Sequence, residues 1–208
     1  MWTTLALTLA LTAPANAGNL SVDVARATIA MPDPNWDLYS YSDNLAAWGL
    51  RAGYAVTPWL AGSVGYGFAV DGGELILGDD EYAGTGITDM SHALVTHQLA
   101  LGPKFILPVL SWAQPYATVQ GVAMLGRDRL DDDIDDDENL NELRATGFTG
   151  GALAAGGVEI ITRRVDRAVR PSVRLEVGYA WLAPLQLGDL GQLQIHGLYT
   201  QWGVGAHF

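Results

Sequence analysis

Between Ala47 and Val70 the chain alternates bulky and small side chains with a period of two, the pattern of extended strands rather than helices. Trp48, Leu50, Ala52, Tyr54 and Val56 share one face; Gly49, Arg51, Gly53 and Ala55 share the other. After Thr57-Pro58 the alternation restarts. Leu60, Val64, Tyr66, Phe68 and Val70 then oppose Trp59, Ala61, Ser63, Gly65 and Gly67. Two such runs across a short Pro-bearing connection predict a hairpin. The same pattern predicts strands near 91–107, Tyr116–Gly126, 148–162 and 171–183, and a last one that ends at Phe208. Segment 171–183 is the most regular, with Val173, Leu175, Val177, Tyr179 and Trp181 opposite Ser172, Arg174, Glu176 and Gly178. An eighth strand is expected near Leu20–Ala30, where Val22 and Val24 fall on the same face as Arg26 and break the clean division.

In a soluble sandwich the bulky face would point inward. Glycine, alanine, serine and a lone arginine make a poor solvent face, but they suit the crowded interior of a narrow barrel whose outer wall meets lipid. Composition points the same way. Only 16% of residues are charged and 25 are glycine, against about 25% charged and about 7% glycine in soluble domains. Beyond the N-terminus no run of about 20 apolar residues offers a helical span.

Connections alternate in length along the chain. Thr57-Pro58, Leu107–Gln114 and Arg163–Arg170 are short or proline-marked, while Met31–Asp43, Asp71–Met90, Arg127–Gly147 and Ala183–Gln192 are long. Membrane barrels alternate in this way, with short periplasmic turns and long outer loops. The four long connections hold 3, 6, 9 and 1 acidic residues, 19 of the 23 in the chain. The expected fold is therefore all-β: an eight-stranded antiparallel up-and-down transmembrane β-barrel over residues 18–208. On that reading Arg26 is best placed in the lumen, with Ala25, Ala27 and Ile29 toward lipid, because an arginine facing lipid at mid-depth costs about 2–4 kcal/mol.

Residues 1–17 read as a signal peptide, with an apolar core at Leu5–Ala13 and the small-x-small triplet Ala15-Asn16-Ala17. Export suits a chain without cysteine. The missing thiols also exclude thiolate metal sites and cysteine nucleophiles.

The final run Trp202-x-Val204-x-Ala206-x-Phe208 and the phrases GLRAGYAVTPWL, GPKFIL, QPYATVQGVA and VRLEVGYAW resemble the outer-membrane β-barrel families of the OmpA-membrane-domain, OmpX and OmpW type. The resemblance covers most of the mature chain as pattern more than identity. It implies an outer-membrane location, a closing strand read as an insertion signal by the barrel-assembly machinery, and both termini in the periplasm. It implies no single activity, because this architecture serves structural proteins, adhesins, narrow pores and a few lipid-modifying enzymes.

Five charged residues fall on inward positions: Arg51, Lys104, Glu159, Arg174 and Glu176. Buried charges need partners, so they predict a paired network that fills an eight-stranded lumen rather than a selective constriction. The acidic run offers Asp131, Asp133, Asp135, Asn139 and Glu142 at the spacing of a calcium loop, but Asp136 stands where glycine should make the turn. The expectation there is a solvated loop with at most weak Ca2+ or Mg2+ binding that could bridge lipopolysaccharide phosphates; no other cofactor is expected. His97 falls on the lipid face in phase with Ser91, but six residues of strand separate them by roughly 20 Å, so catalysis is not expected. Trp48, Trp59, Trp112 and Trp181 lie near strand ends, as interface aromatics do. A net charge of −12 without a basic stripe disfavours nucleic acid.

The expected role is a monomeric outer-membrane barrel, structural or surface-interacting, in contact with outer-membrane lipid and lipopolysaccharide. A narrow solute pore is one alternative. A secreted soluble barrel with an apolar ligand in its lumen is another, and large inward residues would be its mark.

Overall fold

A computed structural model describes residues 20–31, 43–75, 90–110, 112–132, 143–162, 169–188 and 191–208. The strands are β1 Leu20–Ala30, β2 Asn44–Thr57, β3 Leu60–Leu75, β4 Met90–Ile106, β5 Ala113–Asp132, β6 Leu143–Ile161, β7 Arg170–Leu182, β8 Leu185–Gln186, β9 Gln192–Leu193 and β10 His196–His207. All but β8 and β9 close one barrel in the order β1-β10-β7-β6-β5-β4-β3-β2. Each strand pairs antiparallel with its neighbours in this circle, and β1 seals the barrel against β10. The eighth strand is thus the expected segment, Leu20–Ala30.

Register fixes the tilt. Following partners from Val22 leads through Ala52, Val64, Leu101, Gly121, Ala152 and Trp181 to His196 at the far end of β10. Val22's direct partner on β10 is Ala206. The stagger, 206 minus 196, is ten residues, so each paired row climbs toward the long-loop end as it runs from β1 through β2 around the wall.

The wall has the side-chain division the sequence predicts. Leu50, Tyr66, Leu99, Leu101, Val119, Leu175, Val177 and Val204 point outward and stay exposed, whereas Arg51, Ser63, Thr96, Gln120, Arg174 and Glu176 are buried inside. A closed barrel with an apolar outer band and a filled interior satisfies every backbone partner without a free edge.

Three expectations need correction. On β1 the phase is opposite to the one preferred: Asp23, Ala25 and Ile29 are buried inside, and Val22, Val24 and Arg26 face outward. Asp23 decides this, because it is ion-paired with Arg174 across the lumen. The other phase would put a carboxylate in the apolar band and leave a guanidinium buried alone. Second, β3, β5 and β6 run further than the apolar alternation does, so Asp71, Asp128, Asp131 and Asp132 belong to strands. Above an apolar band a strand can continue through polar residues, since pairing is a backbone property.

The third correction concerns Ala183–Gln192, read as a plain long connection. Its β8 and β9 form a small hairpin, paired Leu185 with Leu193 and Gln186 with Gln192. Gly188 and Gly191 turn the hairpin with φ of 60° and 92°, conformations that side chains with a Cβ seldom adopt. Leu185, Leu187 and Ile195 are 0% exposed and Leu193 is 1% exposed. The hairpin therefore packs its apolar side chains into the long-loop end of the barrel. Room comes from the wall: a Cβ on Gly126 would meet the Leu185 side chain at 2.5 Å, and one on Gly147 would run into the Gln186 carbonyl oxygen. Ala183 N–H donates to the Gly150 carbonyl at 3.0 Å and fixes the entry to the hairpin.

Candidate functional site

The lumen is built in two layers. Toward the short turns, β2, β4, β5, β6, β7 and β10 each contribute polar groups. Arg51 Nη1 donates to Glu176 Oε2 at 2.7 Å, and the Tyr116 hydroxyl donates to the same oxygen at 2.7 Å. Arg51 Nη2 reaches the Tyr199 hydroxyl at 3.3 Å. Lys104 Nζ donates to Glu159 Oε2 at 2.6 Å and lies 4.2 Å from the Tyr116 ring centroid. His207 Nε2 sits 2.9 Å from Glu159 Oε1. Arg174 is paired with Asp23 from β1. Three cations thus face three carboxylates, and all six side chains are buried.

All five sequence-predicted lumen charges belong to this network. The partners differ in part from the expected ones. Glu159 and Arg174 are register partners on β6 and β7, yet Glu159 bonds Lys104 and His207 while Arg174 takes Asp23. Asp23, Tyr116, Tyr199 and His207 were not foreseen as members. For Tyr116, Tyr199 and His207 the sequence carries the signal, since all three fall on the polar phase of their strands.

Toward the long loops the lumen becomes apolar. Ile29, Leu45, Leu94, Val122, Met124, Leu153 and Leu182 from the wall pack with the four hairpin side chains in one cluster. The expectation of a uniformly small or polar inward face is corrected here. Between the layers lies a cavity of about 50 Å³ edged by Ala25, Ala47, Gly65, Gly67 and Ala100. A second cavity of about 340 Å³ opens at the short-turn end and is lined by Ser21, Lys104, Glu159, Arg170, Arg174 and His207 among others. Ser21 is the register partner of His207, but its hydroxyl donates to the Gly53 carbonyl at 3.5 Å.

The outer wall carries the remaining predicted residues. Trp48, Trp59, Trp112 and Trp181 are all exposed. Trp59 and Trp112 stand in short turns, Trp181 lies near the long-loop end of β7, and Trp48 lies four residues inside β2. Trp202 and Val204 are exposed on the outward face of β10, Ala206 shares their phase, and Phe208, one residue past the strand, is exposed as well. His97 does face outward, as its phase predicts; its Nδ1 is 2.7 Å from the Tyr66 hydroxyl, and its ring is 5.2 Å from that of Phe68. Of the candidate cation ligands, Asp131 ends up in β5; Asp133, Asp135, Asn139 and Glu142 lie outside the described residues, as does the proposed signal peptide.

No protein-family model and no curated protein matches the chain. Among solved structures it is similar to Ail, the attachment invasion locus protein of Yersinia pestis, in complex with the heparin analogue sucrose octasulfate. That match has 11% identity and a TM-score of 0.48, covering 90% of this chain and 94% of the other. It is also similar to the outer membrane protein OprG from Pseudomonas aeruginosa (10% identity, TM-score 0.46, 92% and 96% covered). A third likeness is to Neisserial surface protein A (14%, 0.41, 93% and 98%). At such values these likenesses carry no argument, and the barrel stands on its own strand pairing.

Proposed function

We propose that this chain is an outer-membrane β-barrel with a closed lumen, and that its role is structural or surface-interacting rather than catalytic or solute-conducting. The observation that supports the reading is the two-layered packing of side chains inside the barrel. A layer of three cation–carboxylate pairs spans the short-turn half above the cavity that opens there, and the apolar side chains of the β8–β9 hairpin pack into the other half. An outward face of exposed leucine, valine and aromatic residues supports placement in a bilayer, since a soluble protein rarely shows so continuous an apolar surface. The acidic long connections would then be the parts presented to partners outside the cell, with lipid and lipopolysaccharide around the wall.

Membrane fractionation followed by electrophoresis of boiled and unboiled samples tests this. The expected result is a band in the outer-membrane fraction whose mobility shifts on boiling. Recovery as a soluble periplasmic protein without a shift would overturn it.

A further inference from the structure

Arg26 stands on the outward face of β1, exposed, with no carboxylate partner among the described residues. Its register partners are Trp48 on β2 and Trp202 on β10. The guanidinium carbon is 5.8 Å from the Trp48 ring centroid, and the two indoles meet edge to face at 5.7 Å between centroids. One pair higher, the Thr28 and Thr200 hydroxyls are 2.6 Å apart.

Below Arg26, toward the short turns, the outward positions of this sector are apolar: Val22 and Val24 on β1, Leu50, Ala52 and Tyr54 on β2, Val204 on β10. Above it they become Thr28, Ala30, Ala46, Asn44 and Thr200, with Leu198 the one large apolar side chain. On β3 and β6 the band runs on, through Phe68 and Val70 and up to Phe148, all exposed. The apolar ceiling is therefore lowest over β10, β1 and β2, and Arg26 marks it. Six residues of tilted strand put Arg26 about 15 Å above Leu20. A guanidinium at that height is costly against acyl chains, and it is relieved if it can rise along the wall to an anionic headgroup. A notch of small and polar side chains lets a headgroup descend to meet it. The Tyr179–Trp181 ring pair, 4.8 Å between centroids, borders the notch and supplies a face on which a sugar can stack.

We propose that this notch binds the phosphate of a lipid A-type lipid, a phosphorylated, acylated glucosamine. Arg26 donates its guanidinium N–H groups to the phosphate, the Thr28 and Thr200 hydroxyls face the sugar, and the Trp48 and Trp202 indoles separate the ion pair from the chains. The proposal rests on the outer-membrane reading above and names a ligand site within it.

The test uses the full barrel in phosphatidylcholine nanodiscs that carry either lipid A or its dephosphorylated form, with retained lipid counted by native mass spectrometry. The wild type should retain lipid A in preference to the dephosphorylated lipid. Arg26→Leu should weaken that retention roughly tenfold, the loss of one charge-assisted contact, while Arg26→Lys keeps part of it. Equal retention of both lipids by an inserted, heat-shifting wild type would overturn the notch alone. So would a preference unchanged in Arg26→Leu, or phosphatidylglycerol held as well as lipid A. Failure of the wild type to insert would overturn the membrane reading and the notch with it.

Discussion

The two halves of the lumen solve one problem by opposite means. The short-turn half is packed with paired charges, and the long-loop half is packed with leucines. In the charged half each ion is taken out of water and repaid by a close partner, so the layer is specific but brittle: removal of one member strands another. In the apolar half the hairpin side chains are interchangeable in kind, and their contribution scales with the volume they fill. A lumen built this way should fail differently at its two ends.

The largest expected effect is in the charged half. Glu176→Ala removes the acceptor shared by Arg51 and Tyr116 and leaves a buried guanidinium unpaired, a loss of about 3–5 kcal/mol. Urea unfolding in lipid vesicles would measure it. The double variant Arg51→Met with Glu176→Leu should recover most of that loss, because both charges leave together.

Next comes the hairpin. Leu185→Ala should cost about 2–4 kcal/mol in the same assay, a cavity effect without a stranded charge. A second apolar substitution cannot rescue it in the way that the paired variant rescues Glu176→Ala. If instead the two halves gave the same pattern of loss and rescue, the distinction between them would be wrong. Gly147→Val places a larger group where the Gln186 carbonyl now sits and should unseat the hairpin while the charge layer stays intact. Protease cleavage at the hairpin, faster in the variant, is the readout.

The smallest effect calibrates the others. A Cβ at Gly62, on the outward face of β3, would meet nothing within 4 Å. Gly62→Ala should change stability by no more than about 0.5 kcal/mol.

The difference between the halves also explains what the sequence discloses. Period-two alternation is local, so seven strands and the five inward charges could be read directly, and Arg174 with Glu176 on the cleanest strand most readily of all. The phase of β1 could not, because it is set by Asp23 meeting Arg174 from the far end of the chain. Locally, Arg26 and Asp23 make equal claims to the interior. The hairpin left a fainter signal. Leu185 and Leu187, then Leu193 and Ile195, alternate on either side of Gly188 and Gly191, a strand–turn–strand pattern inside a stretch short enough to pass for a loop. Strand extensions such as Arg127–Asp132 are hidden for another reason: all their side chains but that of Leu130 are charged, and it is backbone pairing with β4, and up to Leu130 with β6, that holds them.

The most direct test of the closed lumen is conductance of the purified wild-type barrel in planar bilayers, beside a variant in which residues 185–195 are replaced by a short glycine-serine linker. The wild type should insert without sustained current, and the variant should show brief openings limited by the charge layer. Steady wild-type channels, unchanged when the hairpin is removed, would contradict the account.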